Sequence, residues 1–239
     1  QWATLALAGP RSRDVLAALA PDVDLDDAAF PFMATREWVV AGMSARIARI
    51  SFAGGLGFEL NVPWDRGLAL WRAVMAAGEP YGITAYGTEA MHVLRAESGF
   101  VIVGQETDGT VTPFDLGMDW IVSKKEPDFI GKRAYLRPDT ARAGRKQLVG
   151  LLTEQPLEVL PEGAQLVDQP HHPKPVPMIG HVTSSYYSET LGRSIALALV
   201  RGGRERLGET VYAPLKTKQV KAVITMPVFL ETGKAGGHG

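Results

Sequence analysis

The apolar and polar positions of this chain fall into short, well-bounded blocks. Trp2–Ala8 (WATLALA) reads as a buried strand. Gly9-Pro10 breaks it and opens a helix through Ala20, with Val15, Leu16 and Leu19 on one face, and Pro21 stops that helix. Arg36–Val40 and Ala45–Ser51 read as two strands of a hairpin around Ala41-Gly42. In Gly57–Val62 the side chains alternate: Phe58, Leu60 and Val62 point one way, Glu59 and Asn61 the other. Trp64–Ala77 carries Trp64, Leu68, Trp71, Val74 and Met75 at helical spacing, which predicts a core-facing stripe rather than a cofactor platform. Gly78 and Pro80 are expected to end that helix. Thr88 is a fitting N-cap for a further helix to Glu97, and by spacing alone its Arg95 and Glu97 face water or pair locally.

Phe100–Pro113 reads as a loop, with turn signals at Gly104 and Asp108-Gly109. Arg137–Lys146 is polar, holds Pro138 and Gly144, and reads as a linker. Beyond it come six short strand signals, at 147–153, 164–167, 178–184, 194–200, 210–213 and 220–224. Their spacing predicts a small antiparallel barrel or jelly-roll-like module. The expected class is α+β: an α+β unit over residues 1–140 and a β-barrel over 146–230.

Composition narrows the function classes. The 239 residues hold 25 basic and 26 acidic side chains, a net charge of -1, so charge gives no case for nucleic acid or an anionic membrane as a partner. There is no cysteine, hence no disulfide, thiolate metal site or cysteine nucleophile, in keeping with a cytoplasmic location. No apolar run is long enough to span a membrane and none reads as a signal peptide. The chain opens at Gln1 directly into a strand, as a piece of something larger does. His171-His172 lies in a Pro-rich loop without further ligands at metal spacing and reads as a solvent-exposed turn, and His92 as a locally packed histidine.

One stretch points to chemistry: Ser51–Pro63, SFAGGLGFELNVP, a glycine-rich turn feeding a strand, with the single carboxylate Glu59 just past the turn. Spacing alone makes Glu59 a solvated strand glutamate. The glycines do not fit a dinucleotide fingerprint, since a strand follows them. The stretch resembles a segment of the aminomethyltransferase family, the glycine-cleavage T-proteins: Gly54, Gly57, Phe58 and Glu59 match, while Phe52 and Ala53 replace the family's tyrosine and threonine. The resemblance implies that Glu59 binds the pterin ring of tetrahydrofolate, whose two parallel N–H donors suit a carboxylate. It extends to the strand and Gly9-Pro10 turn, to Arg95-Ala96-Glu97-Ser98-Gly99, to Gln105-Glu106 and Thr112-Pro113, to Phe129-Ile130-Gly131-Lys132 and to Ile179–Val200. By the same resemblance Arg95 belongs to the folate and substrate site, Phe52 stands at the folate, and Lys216, beside Lys218 in a basic loop, faces the folate glutamyl tail.

Within the family the chain is similar to the folate-binding region of the alpha subunits of heterotetrameric sarcosine oxidases. That branch implies capture of a one-carbon unit from oxidised sarcosine as 5,10-methylene-tetrahydrofolate, with flavins and NAD in other parts of the parent enzyme and its other subunits as partners. The family's catalytic aspartate lies upstream of the position matching Gln1, so no catalytic residue is assigned within this chain, and the chain alone is expected to be inactive. The alternatives are a T-protein of glycine cleavage and, in another class, a non-catalytic folate-binding or subunit-interaction module. The branch linked to iron–sulfur maintenance carries a cysteine near the 100–113 loop, which is absent here.

Overall fold

A computed structural model describes residues 1–124, 128–171 and 174–230, so His172 of the histidine pair lies outside the described residues. The chain divides into two compact units, one built on residues 1–95 and one on residues 96–230.

The first unit is a four-stranded antiparallel sheet with helices on one face. Its elements are β1 (Trp2–Ala8), α1 (Ser12–Leu19), β2 (Thr35–Val40), β3 (Met43–Ala48), β4 (Gly57–Pro63), α2 (Gly67–Gly78) and the start of α3 (Thr88–Glu97). The strand order is β1-β4-β3-β2. The β2–β3 hairpin turns on two residues, Ala41 (φ 50°) and Gly42 (φ 75°). Positive φ at both positions is what the twist of a two-residue hairpin demands. In register, Leu5 and Ile47 flank Leu60, and Leu7 lies opposite Phe58. These side chains share the inner face and pack with Val15 and Leu16 of α1 and Leu70 and Val74 of α2. Phe30 closes this core, edge-on to Trp38 at 4.7 Å and stacked on Phe58 at 6.0 Å.

The helix after β4 ends at Gly78 as expected, and a single 3-10 turn, Glu79–Tyr81, leads from it to Gly82, at φ 71°. Gly78 also answers a packing need, because a Cβ there would come within 2.6 Å of the Ile83 side chain. The aromatic stripe departs from expectation, because it is not core. Trp64, Leu68 and Trp71 are 68%, 62% and 42% exposed, and the buried face of α2 is Leu70, Val74 and Gly78. The helix is apolar on two sides and only one of them meets the sheet.

The second unit is a nearly closed barrel. It contains α4 (Pro138–Ala141), β5 (Lys146–Thr153), β6 (Gln165–Leu166), β7 (Gly180–Ser188), β8 (Arg193–Arg201), β9 (Thr210–Pro214) and β10 (Gln219–Thr225). The sheet order is β6-β7-β8-β5-β10-β9. Val167 and Tyr212 exchange two backbone hydrogen bonds of 2.9 and 3.0 Å, joining the β6 end to β9. Val149, Leu151, Ala198, Val200, Val211 and Ile224 belong to one buried cluster, Leu148, Ile195, Leu197 and Leu199 to a second. β5 and β8 are therefore covered on both faces, which explains the unbroken apolar run of β8.

Two truncations separate the faces of the first unit. Leu60→Ala removes a fully buried side chain at the sheet centre and is expected to cost about 2–5 kcal/mol in denaturant unfolding. Trp64→Ala, on the exposed stripe, is expected to stay within about 0.5 kcal/mol in the same measurement.

Candidate functional site

The glycine-rich turn is held by its own backbone. Gly54 (φ 81°) and Gly55 (φ 67°) take the left-handed conformation that side chains disfavour. A Cβ on Gly57 would meet the Ser51 Cβ at 2.8 Å, and Ser51 Oγ donates to the Gly54 carbonyl at 3.0 Å. Upstream, buried Arg49 braces the entry, donating to the Phe30 carbonyl at 2.7 Å and pairing with Asp27 at 2.9 Å.

Past this turn the alternation of β4 puts Glu59 on the outer face, half-buried, opposite Ala6 of β1 and Ala48 of β3. Two cross-strand alanines leave a shallow, flat floor on either side of the carboxylate. The Glu59 carboxylate makes no hydrogen bond or ion pair to any described residue. Its neighbour Asn61 is engaged, accepting from Thr4 Oγ1 at 2.6 Å. Phe52 sits exposed in the same turn. The structure thus joins Phe52 and Glu59 in one turn–strand unit. Arg95 lies further along, on α3, and Lys216 belongs to the second unit, exposed in the turn between β9 and β10.

Arg95 and Glu97 do not face water as their spacing suggested: Arg95 is 0% and Glu97 2% exposed. The Glu97 carboxylate accepts from Ser188 Oγ at 2.5 Å, and its carbonyl accepts the N–H groups of Phe229 and Leu230, both at 2.9 Å. Glu106, in the loop after α3, is not at the surface. It is fully buried, accepting from the Ser184 hydroxyl and from the Ile102 N–H at 2.7 Å. Gln105 reaches Glu162 at 3.0 Å and the Thr183 carbonyl at 3.3 Å. The loop is therefore pinned to β7 of the barrel. Serines 184 and 188, one face of β7 apart, were the signal in the sequence, legible only with the pairing known.

A third buried group, Asp115, was missed. Thr112 donates to it through both its amide and its hydroxyl at 2.8 Å, and Arg145 forks onto it at 2.9 and 2.7 Å. Burial alone pushes the Asp115 carboxyl up, but the Arg145 guanidinium and the Thr112 donors outweigh it and hold the carboxyl below the usual carboxylate range. The Thr112-Pro113 motif is thus half of a clamp on the segment ahead of β5, whose Leu148 N–H bonds to the Asp115 carbonyl at 2.8 Å.

The first unit also contains a groove of about 490 Å³ between β1, the C-terminal half of α2 and residues 81–88, with Trp71, Met75, Tyr86 and Met91 among its walls. Glu59, Phe52 and Arg95 do not line it. Among the described residues no group of three His, Asp or Glu side chains could hold a metal ion, and no described helix is long and apolar enough to cross a membrane.

Comparison with known proteins places this geometry. Residues 1–126 match the GCVT N-terminal domain and residues 146–231 the glycine cleavage T-protein C-terminal barrel domain. The chain belongs to the glycine cleavage T-protein family. It is 50% identical to a sarcosine oxidase subunit alpha of Corynebacterium sp. (strain U-96) and 40% identical to that of Rhizobium meliloti (strain 1021), in each case over 97% of this chain and 24% of the relative. It is 34% identical to an aminomethyltransferase of Clostridium botulinum (strain Okra / Type B1), over 92% of this chain and 57% of the relative. The chain thus spans about a quarter of the sarcosine oxidase subunits it matches. Its fold is that of the glycine cleavage system aminomethyltransferase T of Bartonella henselae, with a TM-score of 0.80 over 97% of this chain and 60% of that one, at 24% identity. The α+β class and the barrel of this T-protein family member stand as expected.

The Asp115 clamp makes a pH prediction. Its folded carboxyl titrates below its unfolded value of about 3.9, so its contribution is full above that value and is lost as pH falls through the folded one. Asp115→Asn is expected to cost about 3 kcal/mol at pH 7. Wild type and variant should converge in urea titrations as pH falls below about 4.

Proposed function

We propose that this chain is a tetrahydrofolate-binding, one-carbon-transfer region of a sarcosine-oxidising enzyme. The observation that carries the reading is Glu59: a half-buried carboxylate, uncommitted to any described residue, on an open sheet face between two alanines. A flat heterocycle with two adjacent N–H donors fits such a place, because both carboxylate oxygens are available to it and small neighbours allow its ring to approach the sheet. Tetrahydrofolate when bound supplies the nitrogen that takes up the one-carbon unit.

The chain's own residues bind and orient. The rigid glycine turn fixes the height of Glu59 above the sheet, so the carboxylate meets its ligand without reorganising. Phe52 offers an exposed ring at the turn. Arg95, fully buried at the end of α3, supports the site through a planar guanidinium that lysine cannot imitate. Lys216 offers a positive charge to the ligand's glutamyl tail. The higher identity to sarcosine oxidase alpha subunits, 40–50% against 34% for the aminomethyltransferase, supports that parent over a glycine-cleavage enzyme. Other subunits of the oxidase are then its partners, and the flavin and NAD chemistry belongs to parts of the enzyme outside these residues.

Calorimetric titration with tetrahydrofolate tests the reading. Glu59→Ala removes two charge-assisted hydrogen bonds and is expected to weaken binding at least about tenfold, with the melting temperature nearly unchanged. An unaltered dissociation constant contradicts the assignment. Arg95→Lys is expected to lower both folate binding and stability, the latter by about 2 kcal/mol, since a buried guanidinium loses part of its donor set.

A further inference from the structure

One end of the barrel sets two cations against each other. Lys146, the first residue of β5, lies directly opposite Arg201, the last of β8. The Gly202 N–H donates to the Arg145 carbonyl at 2.9 Å, while the Arg201 N–H turns the other way, to the Ile179 carbonyl at 2.8 Å. Lys146 and Arg201 therefore form a non-hydrogen-bonded pair, the kind in which opposed side chains stand closest, with Cα atoms about 4.5 Å apart. Like charges placed so repel. A carboxylate between them would relieve the repulsion, but neither has one: both side chains are exposed, and neither makes an ion pair with any described residue.

A third basic side chain joins them. His181 of β7 stands opposite Leu199, two residues before Arg201 on β8, so it shares one face of the sheet with Arg201 and Lys146. Its Nδ1 lies 3.4 Å from Lys146 Nζ. An ammonium only donates, so Nδ1 accepts and the ring carries its own proton on Nε2, as a further donor. Burial and the Lys146 charge hold the His181 pKa below its usual value, so the ring is neutral at pH 7. One acid acts on His181 through space, Asp108 of the loop ahead of β5. Its Oδ1 is engaged elsewhere, by the Thr110 amide at 2.7 Å and the Thr110 hydroxyl at 2.6 Å.

We propose that Lys146, Arg201 and His181 form a binding site for a phosphate-type dianion, either the free ion or a monoester carried by a small molecule. Two cations that the β5–β8 register holds together ask for two negative charges, and a single carboxylate supplies only one. The oxygens of a phosphate accept from an ammonium, from the planar guanidinium fork and from an imidazole N–H at once. The lysine serves as a point charge and the arginine as the oriented clamp. The site lies in the second unit, while Glu59 and Phe52 lie in the first. The proposal therefore does not rest on folate binding, and either can fail without the other.

Nuclear magnetic resonance of the His181 ring, assigned through His181→Gln, tests it with inorganic phosphate as the probe. At about pH 7.5, where phosphate is mostly doubly charged, and at constant ionic strength, the ring signals are expected to shift saturably. Half-saturation should fall near about 1 mM, and acetate should bind at least about tenfold more weakly. Lys146→Gln and Arg201→Gln are each expected to weaken phosphate binding at least about fivefold. In phosphate-free buffer the same two variants should melt no lower than the wild type, because each removes a repulsion. Methyl phosphate separates the two sources: binding as tight as that of phosphate assigns the site to a monoester, weaker binding assigns it to the free ion, and both uphold the proposal. No saturation below about 20 mM phosphate, an equal response to acetate, or undiminished binding in the variants overturns it. A lower phosphate-free melting temperature in both variants overturns it too, since the pair would then serve the barrel's own stability.

Discussion

The pairing of β1 with β4 is the constraint on which the first unit rests. With Leu5 opposite Leu60 and Ala6 opposite Glu59, every large apolar side chain of both strands but Trp2 falls on the helix side and the carboxylate on the other. A slip of one residue would put Glu59 in the core and Leu60 in water, at a cost of several kcal/mol for the buried charge alone. One register therefore chooses the core and the face that carries Glu59 together. These are not separable properties of the sequence.

The barrel follows a different logic. Its two central strands are covered on both sides, so β5 and β8 carry no information about direction and need anchors of another kind. Buried polar contacts supply them: Asp115 with Arg145 ahead of β5, and the acid–serine contacts of Glu97 and Glu106 along β7. Such contacts add little net stability, since each carboxylate must be stripped of water. They fix position. The loop that the family motifs decorate is thereby anchored to the strands beside it.

How far the sequence could be read depended on range. The period-two alternation of β4 disclosed the direction of Glu59, and the Ala41-Gly42 pair disclosed the hairpin, because both depend on neighbours in the chain. Arg95 and Glu97 looked solvated because the group that accepts Glu97 into the interior, Ser188, is 91 residues away. Trp64, Leu68 and Trp71 were misplaced for a third reason. Helical periodicity reports that a face is apolar, not what it packs against, and α2 has two such faces for one sheet.

The two hydrogen bonds between Val167 and Tyr212 have a consequence for the life of the chain before it is folded. They close the last gap in a sheet and leave it without a terminus to which a stranger can be added. The first sheet has no such closure among the described residues, so half-folded molecules would associate through its β1 edge rather than through the barrel.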